Sequence, residues 1–204
     1  AIASHFGGSI DGLDRFAHRD GIATGMHIYE PTADSWNINT VRQRFDGQSV
    51  VLVEFCWRQR GLIVQPGQEN TITGVADLAD RRVVRRLPGT GSQILLDQLV
   101  GREGISASSI DFSAEAHTET EAASAVLENL ADAALGLKAL AERYRLGFVP
   151  LIRERFDLLV HRRAWFEPSL QVLTQFCASS SFHAKARSLA GYDTRGLGTV
   201  HFNG

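Results

Sequence analysis

The sequence predicts an α/β fold, and three features of it carry that prediction. Runs rich in β-branched residues, such as 49–55 (SVVLVEF), read as buried strands. Between them lie stretches with apolar residues at helical spacing. Glycine-bearing turns join one kind of segment to the other, and the order strand, turn, helix repeats along the chain. Such alternation implies strands joined by helical crossovers, and so a largely parallel sheet.

Residues 1–6 (AIASHF) read as a buried strand ended by Gly7 and Gly8. A chain that opens on such a strand is expected to be a piece of a longer protein. Ser9 then N-caps a helix with Ile10, Leu13 and Phe16 on one face. Residues 21–28 (GIATGMHI) form the next strand, 31–36 a loop and 37–45 a short helix. Residues 49–55 and 61–64 are two further strands, the second closed by Pro66 and Gly67. Residues 73–78 start a capped helix. A strand over 82–87 runs into Pro88-Gly89-Thr90-Gly91-Ser92 and a helix over 93–100. After a short strand at 110–112, Thr118 caps a helix through Leu130, with Glu119 and Glu121 in the first turn, where the helix dipole favours acids. Strands at 131–136, 148–151 and 156–160, and helices at 138–145, 168–178 and 182–189, complete the series. Residues 66–70 (PGQEN) suit a lobe junction, with a second crossing between 150 and 163. That divides the chain into 1–66, 67–164 and a return to the first lobe over 165–204.

The 204 residues are 44% hydrophobic, enough for one good core or two small ones. A net charge of −2 gives no field that gathers nucleic acid or membrane. Lys138 and Lys185 are the only lysines. Arginine, which supplies the other basic positions, suits planar anions, although codon usage gives the same bias. Cys56 and Cys177 lie in apolar runs and read as buried thiols, without a disulfide or metal spacing. No apolar run is long enough to span a membrane and no signal peptide is visible. A cytoplasmic location is expected, with the periplasm as the alternative.

The clearest chemical constellation is Arg86 with Thr90, Gly91 and Ser92. Glycines let the backbone turn closely, the following helix points free N–H groups into the turn, and the hydroxyls and the guanidinium add donors. An ordinary strand-to-helix turn uses the same residue types. Gly8-Ser9 and His117-Thr118 repeat the chemistry more simply. Seven histidines show neither HxH nor HExxH spacing, so no metal site follows. His27, at a strand end, is the one kept as a cleft residue. No Walker loop, dinucleotide fingerprint or GxSxG elbow is present, so neither a cofactor nor an enzyme is expected. Arg153-Glu154-Arg155 reads as a solvated strand edge.

The order of these segments resembles a known family. Gly8-Ser9-Ile10-Asp11-Gly12-Leu13 resembles its GS-x-x-GL turn, Gly25-Met26-His27 its G-x-H strand end, and residues 37–41 its N-x-x-x-V segment. Arg58-Gln59-Arg60-Gly61-Leu62-Ile63-Val64 resembles R-x-QGLIV. Residues 89–93 with Leu95-Leu96-Asp97 resemble GSGTR-x-LLD, residues 131–136 resemble AD-x-GLG, and Phe148-Val149-Pro150-Leu151 with Phe156-Asp157-Leu158 resembles F-x-PL followed by YDL. This is the type II periplasmic-binding-protein-like domain found downstream of helix-turn-helix domains and similar to molybdate- and tungstate-binding proteins. The resemblance implies two α/β lobes with a ligand cleft between them, the N-terminal part of the first lobe being absent. It implies the effector domain of a transcriptional regulator that senses a small anion, a molybdate- or tungstate-like oxyanion, held by Ser9, His27, Arg86, Thr90, Gly91, Ser92 and Thr118. It further implies DNA contact only through an upstream domain, with a homodimer suiting such a regulator. A transporter's solute-binding component, or an effector domain for an organic acid or cofactor precursor, remains an alternative. Gln93 stands where the family's motif has arginine, so one charge on the ligand is lost.

Overall fold

The computed structural model describes residues 3–112 and 114–204. Along the chain run α1 (Ser9–Ala17), β1 (Ala23–Met26), β2 (Tyr29–Glu30), β3 (Ser35–Trp36), α2 (Ile38–Arg44), β4 (Val50–Val64) and β5 (Arg85–Arg86). Then come α3 (Gly91–Arg102), β6 (Glu115–Ala116), α4 (Glu119–Leu127), β7 (Ala133–Leu137), α5 (Lys138–Tyr144), β8 (Gly147–His161), α6 (Pro168–Cys177), α7 (Ser180–Arg187), β9 (Tyr192–Asp193) and β10 (Val200–Asn203). The chain divides into two compact units, Ala1–Trp57 with Arg155–Gly204, and Arg58–Glu154. The boundaries fall inside the two 15-residue strands β4 and β8, not in the turns that follow them.

These long strands are the main difference from the sequence expectation. Each replaces two predicted strands, because the polar residues between the apolar runs stay extended and are paired. β4 reads VVLVEFCWRQRGLIV, and its central Glu54, Arg58 and Arg60 all have carboxylate or cation partners. The run 153–155 is a solvated edge only at the exposed Arg153, since Glu154 is 0% and Arg155 6% exposed. Ala3 to Phe6 form no strand and are exposed; Ala1 and Ile2 lie outside the described residues.

In the first unit β1 pairs antiparallel with β8, from Ala23 opposite Val160 to Met26 opposite Asp157. β10, which the sequence reading missed, pairs antiparallel with β4 at Val51–Val53. Alternate residues of β4 serve opposite faces, as the period of a strand demands. Val50 and Leu52 join Leu13, Phe16, Met26, Val41, Phe45 and Leu159 in one core cluster. Val51 and Val53 join Val160, Ala164 and Leu170 in another.

In the second unit β7 pairs antiparallel with β4, from Arg60 opposite Leu137 to Val64 opposite Ala133. β5 and β6 pair parallel, as do the bridges Arg82 to Asp111 and Val83 to Ala133. A largely parallel sheet is therefore not what forms. Alternation along the chain predicts helical crossovers, but not which strand becomes the neighbour, and here β4 takes antiparallel partners. The core of this unit is alanine-rich, with Ala116, Ala122, Ala123, Ala134 and Ala141 around Ile63, Val84 and Val126. Small side chains let elements approach closely. Gly61 shows the limit, because a Cβ there would overlap the Val149 carbonyl oxygen.

Candidate functional site

Each unit places some of the expected site residues, and each set is described within its own unit. In the first unit Gly8 is the N-cap of α1, in extended conformation and with no side-chain cap. Ser9 follows as the first helical residue, buried, and its Oγ accepts the His27 backbone N–H at 3.3 Å. As a hydroxyl it keeps its own proton to donate. Two glycines set this geometry. A Cβ on Gly12 would overlap Thr24 Oγ1, and one on Gly25 would overlap the Phe156 ring. So α1 lies tight against β1, and the Phe156 ring lies over β1.

The loop after β1 is held by Asn37, which is fully buried. Its Oδ1 accepts the Ile28 N–H at 2.6 Å, while Nδ2 donates to the Met26 carbonyl at 3.3 Å and to Asp157 Oδ2 at 2.8 Å. Arg155 in turn donates to both Asp157 oxygens at 3.0 Å and to the Trp36 carbonyl at 2.7 Å. Burial raises the Asp157 pKa against the opposing pull of Arg155 and Asn37. The residues on either side of His27 are thus fixed by buried polar bonds.

A cavity of about 840 Å³ opens here, lined by Ser9, Thr24, His27, Phe55 and Phe156 among others, with Asp11 and Arg15 also on its wall. The His27 and Phe156 rings are 5.9 Å apart, and Phe55 meets Phe156 edge to face at 6.1 Å. Asp11 pairs with Arg15 and with His5. Its size lies within the range of pockets for small organic ligands, which combine apolar walls with a few placed polar groups.

In the second unit the Arg86 turn forms as expected, but its donors have partners within the chain. Thr90 N-caps α3, accepting the Gln93 N–H at 3.2 Å and donating to the Leu87 carbonyl at 2.8 Å. Gly91 is buried as the first residue of α3. Thr118 N-caps α4 by accepting the Glu121 N–H at 3.0 Å, and Glu121 accepts the His117 N–H at 2.8 Å. Arg86 is no free countercharge. Its Nε and Nη2 donate to the Ala116 and His117 carbonyls at 3.0 Å, and its Nη1 lies 3.0 Å from Glu119 Oε1. Gln93, standing where the resembled motif has arginine, accepts the Arg86 backbone N–H at 2.7 Å and donates to Asp97 at 2.7 Å.

Ser92 leads to residues that the site prediction left out. Its Oγ accepts from Arg60 Nη2 at 2.6 Å and donates to Glu119 Oε1 at 2.5 Å. Arg60 is 0% exposed. Its Nη1 is 3.0 Å from the same Glu119 oxygen and its Nε is 3.5 Å from Glu154, which also pairs with Arg58. Burial pushes the Glu119 carboxyl up, but Arg60, Arg86 and Ser92 overcome it and lower its pKa to about 2. Glu119 is ionised at any physiological pH. A signal for this cluster existed in the sequence. Arg58 and Arg60 sit two apart beside the apolar run GLIV, and cations placed so in a strand need buried partners.

Among the described residues no group of three or more His, Cys, Asp or Glu side chains is arranged to hold a metal ion. No helix among them is long and apolar enough to cross a membrane. Cys56 and Cys177 are buried and form no disulfide among the described residues.

Comparison with known proteins agrees with this architecture. The family described as PBP superfamily domain matches residues 1–178. The uncharacterized protein YvgK of Bacillus subtilis (strain 168) is 30% identical over 178 residues, 86% of this chain. The chain spans only 57% of YvgK's length. Two solved structures share the fold at 11% identity and a TM-score of 0.61. One is the effector binding domain of QuiR in complex with shikimate, covering 88% of this chain and 79% of that one. The other is the CcmR regulatory domain of Synechocystis PCC6803 in complex with 2-PG, covering 83% and 77%. With alternating elements in two units and this match over most of its length, the chain belongs to the periplasmic-binding-protein-like (PBP) family and has its type II α/β fold.

Proposed function

We propose that this chain is a ligand-binding domain of the effector or solute-binding kind, and that its first unit takes a small organic acid. The cavity beside α1 carries the reading. It joins an uncapped helix N-terminus and the Ser9 hydroxyl, which suit a carboxylate or phosphate, to the Phe55 and Phe156 rings, which suit a carbon skeleton. That QuiR and CcmR domains of the same fold are seen with shikimate and 2-PG supports the ligand class. Ser9 would donate to the acid and His27 would pack against the skeleton or bond to it. In the regulator reading, binding here acts on a DNA-binding domain joined to this one.

A second reading, molybdate or tungstate, rests on the same helix N-terminus. A bare oxyanion uses neither the apolar walls nor most of the volume, and the Arg86 guanidinium expected to neutralise it already faces Glu119.

A thermal-shift panel of small carboxylic and phosphorylated acids, with molybdate and tungstate alongside, tests the proposal. A ligand at 100 times its Kd adds about 2.7 kcal/mol, or roughly 5–11 °C for a chain of this size. Ser9→Ala and His27→Ala should each reduce the shift. A response to the two metal oxyanions alone supports the second reading, and a full response in both variants rejects the site.

A further inference from the structure

The second unit holds three buried or nearly buried guanidiniums, Arg58, Arg60 and Arg86, against two carboxylates, Glu119 and Glu154. Glu154 lies between Arg58 and Arg60, which leaves Arg86 and the other side of Arg60 to Glu119. Arg60 Nη1, Arg86 Nη1 and Ser92 Oγ all converge on one atom, Glu119 Oε1, at 3.0, 3.0 and 2.5 Å. The other carboxylate oxygen, Oε2, is buried and accepts no hydrogen bond among the described residues. One hydrogen bond, from Ser92 in the first turn of α3, and two ion-pair contacts, from Arg60 on β4 and Arg86 on β5, focus on a single oxygen of Glu119 at the head of α4, and together they form a seat for an anion. Arginine cannot shed its proton, and an unpaired buried charge costs several kcal/mol. The seat therefore always needs a negative occupant. Ser92 and Arg60 are 2% and 0% exposed, so they reach that occupant from below, while the Glu119 side chain, 25% exposed, is the part that meets solvent.

We propose that Glu119 is an intramolecular stand-in for an anionic ligand: it fills the Arg60–Arg86–Ser92 seat and closes it to tetrahedral inorganic oxyanions, so that Glu119 decides what the second unit can bind. The seat's own preference, once Glu119 is taken away, is for sulfate or phosphate, whose several oxygens can share the donors that now crowd onto one. The seat is built from residues of the second unit alone, and nothing in it rests on the ligand proposed for the Ser9–His27 cavity.

Glu119→Ala removes the occupant and shortens the side chain that covers the seat. Thermal unfolding of the full chain, titrated with sodium sulfate and with phosphate, reads the outcome against chloride at equal ionic strength. Sulfate stabilises proteins in general by exclusion from their surface, so the wild-type shift is the baseline. Glu119→Ala should show an additional, saturable shift, with an apparent affinity at least roughly tenfold above the wild type's. Arg60→Met in the Glu119→Ala background should abolish it. A cooperatively folded Glu119→Ala protein that responds only as the wild type does overturns the proposal. So does a wild type that already binds sulfate as tightly as the variant. If Glu119→Ala does not fold in chloride, sulfate should restore a cooperative transition, and a chain that stays unfolded in sulfate also rejects the seat. The seat is read from the difference between Glu119→Ala and Glu119→Ala/Arg60→Met, both of which keep Ser9 and His27, so anion binding at the first unit's cavity cancels and the failure of one proposal is distinguishable from the failure of the other.

Discussion

Asn37→Ala should be among the most damaging single substitutions outside the hydrophobic core, and its cost can be worked from three bonds and one angle. Asn37 has φ +68° and ψ −30°, a positive-φ conformation outside the left-handed helical region that alanine enters at about 1 kcal/mol or more. Its loss leaves the buried Ile28 N–H without its acceptor, at about 1–3 kcal/mol, and takes a donor from the buried Asp157 carboxylate, worth about 1.5–3 kcal/mol. The weaker bond to the Met26 carbonyl adds little. Partial relaxation trims the sum, and about 4 kcal/mol is expected. For a chain of this length that lowers Tm by roughly 8–16 °C. Most domains have only about 5–15 kcal/mol in total, so the variant should fold at 25 °C with a narrow margin.

Urea unfolding followed by circular dichroism measures the loss, and Asn37→Gly separates its parts. Glycine accepts the positive φ, so it should recover about 1 kcal/mol of the alanine deficit and no more. Because Asn37 bonds on both sides of His27, ligand-induced shifts should weaken in both variants even where the protein is fully folded. A loss under about 1 kcal/mol for Asn37→Ala, or a glycine variant as stable as the wild type, would refute the reasoning.

Four further outcomes follow from other sites. Gly61→Ala should yield no stably folded protein on expression, because its Cβ meets the Val149 carbonyl and the Phe148 ring. Gly67→Ala, at φ +86° with open space around it, should cost only about 1–2 kcal/mol by the same unfolding measurement. Thr90→Ala removes the α3 cap and should cost about 1 kcal/mol in urea, with a larger effect if Thr90 also holds ligand. Acid titration should single out Glu119. Its folded pKa, about 2, lies below the ordinary 4.5, so its contribution is full above about pH 4.5 and lost as pH falls through about 2. Glu119→Gln should be less stable at neutral pH, and its unfolding free energy should fall less steeply over that window.

How much of this was legible before any coordinates differed by element. Helices were readable where caps and apolar spacing agree. The sequence places Thr118 as the cap of α4, and Glu121 completes the turn as its position suggests. The strand end at Met26-His27 and the start of α1 near Gly8-Ser9 were readable for the same reason, since glycines and small hydroxyls mark where a backbone must turn, although no strand precedes Gly8 and Gly8, not Ser9, is the N-cap. The long strands were not. Glu54 and Glu154 look like breaks in apolar runs, and only the carboxylate–cation pairs reveal that β4 and β8 carry these charges through a buried stretch. β10 was missed because residues 200–203 are too few to show a period. Its pairing with β4 comes from tertiary contact alone.

That Arg86 is paired within the chain was not legible in the sequence, for a general reason. A sequence shows that a charge exists, whereas its availability depends on which opposite charge the fold delivers to it. Arg86 and Glu119 are 33 positions apart and Arg60 and Glu119 are 59 apart, and no local pattern links them. Buried cations cannot stay unpaired, so an arginine predicted to greet a ligand from the floor of a site should first be asked what neutralises it when the ligand is away. In this chain the answer is a carboxylate at the head of α4. On the reading proposed above, the weight of ligand recognition falls to Ser9 and His27 in the first unit, where the polar groups stand beside aromatic walls and the donors are hydroxyl and backbone N–H. A site made that way would bind an acid through directed hydrogen bonds more than through net charge, so the proposal predicts an affinity that varies little with salt, unlike that of a site built on exposed arginines.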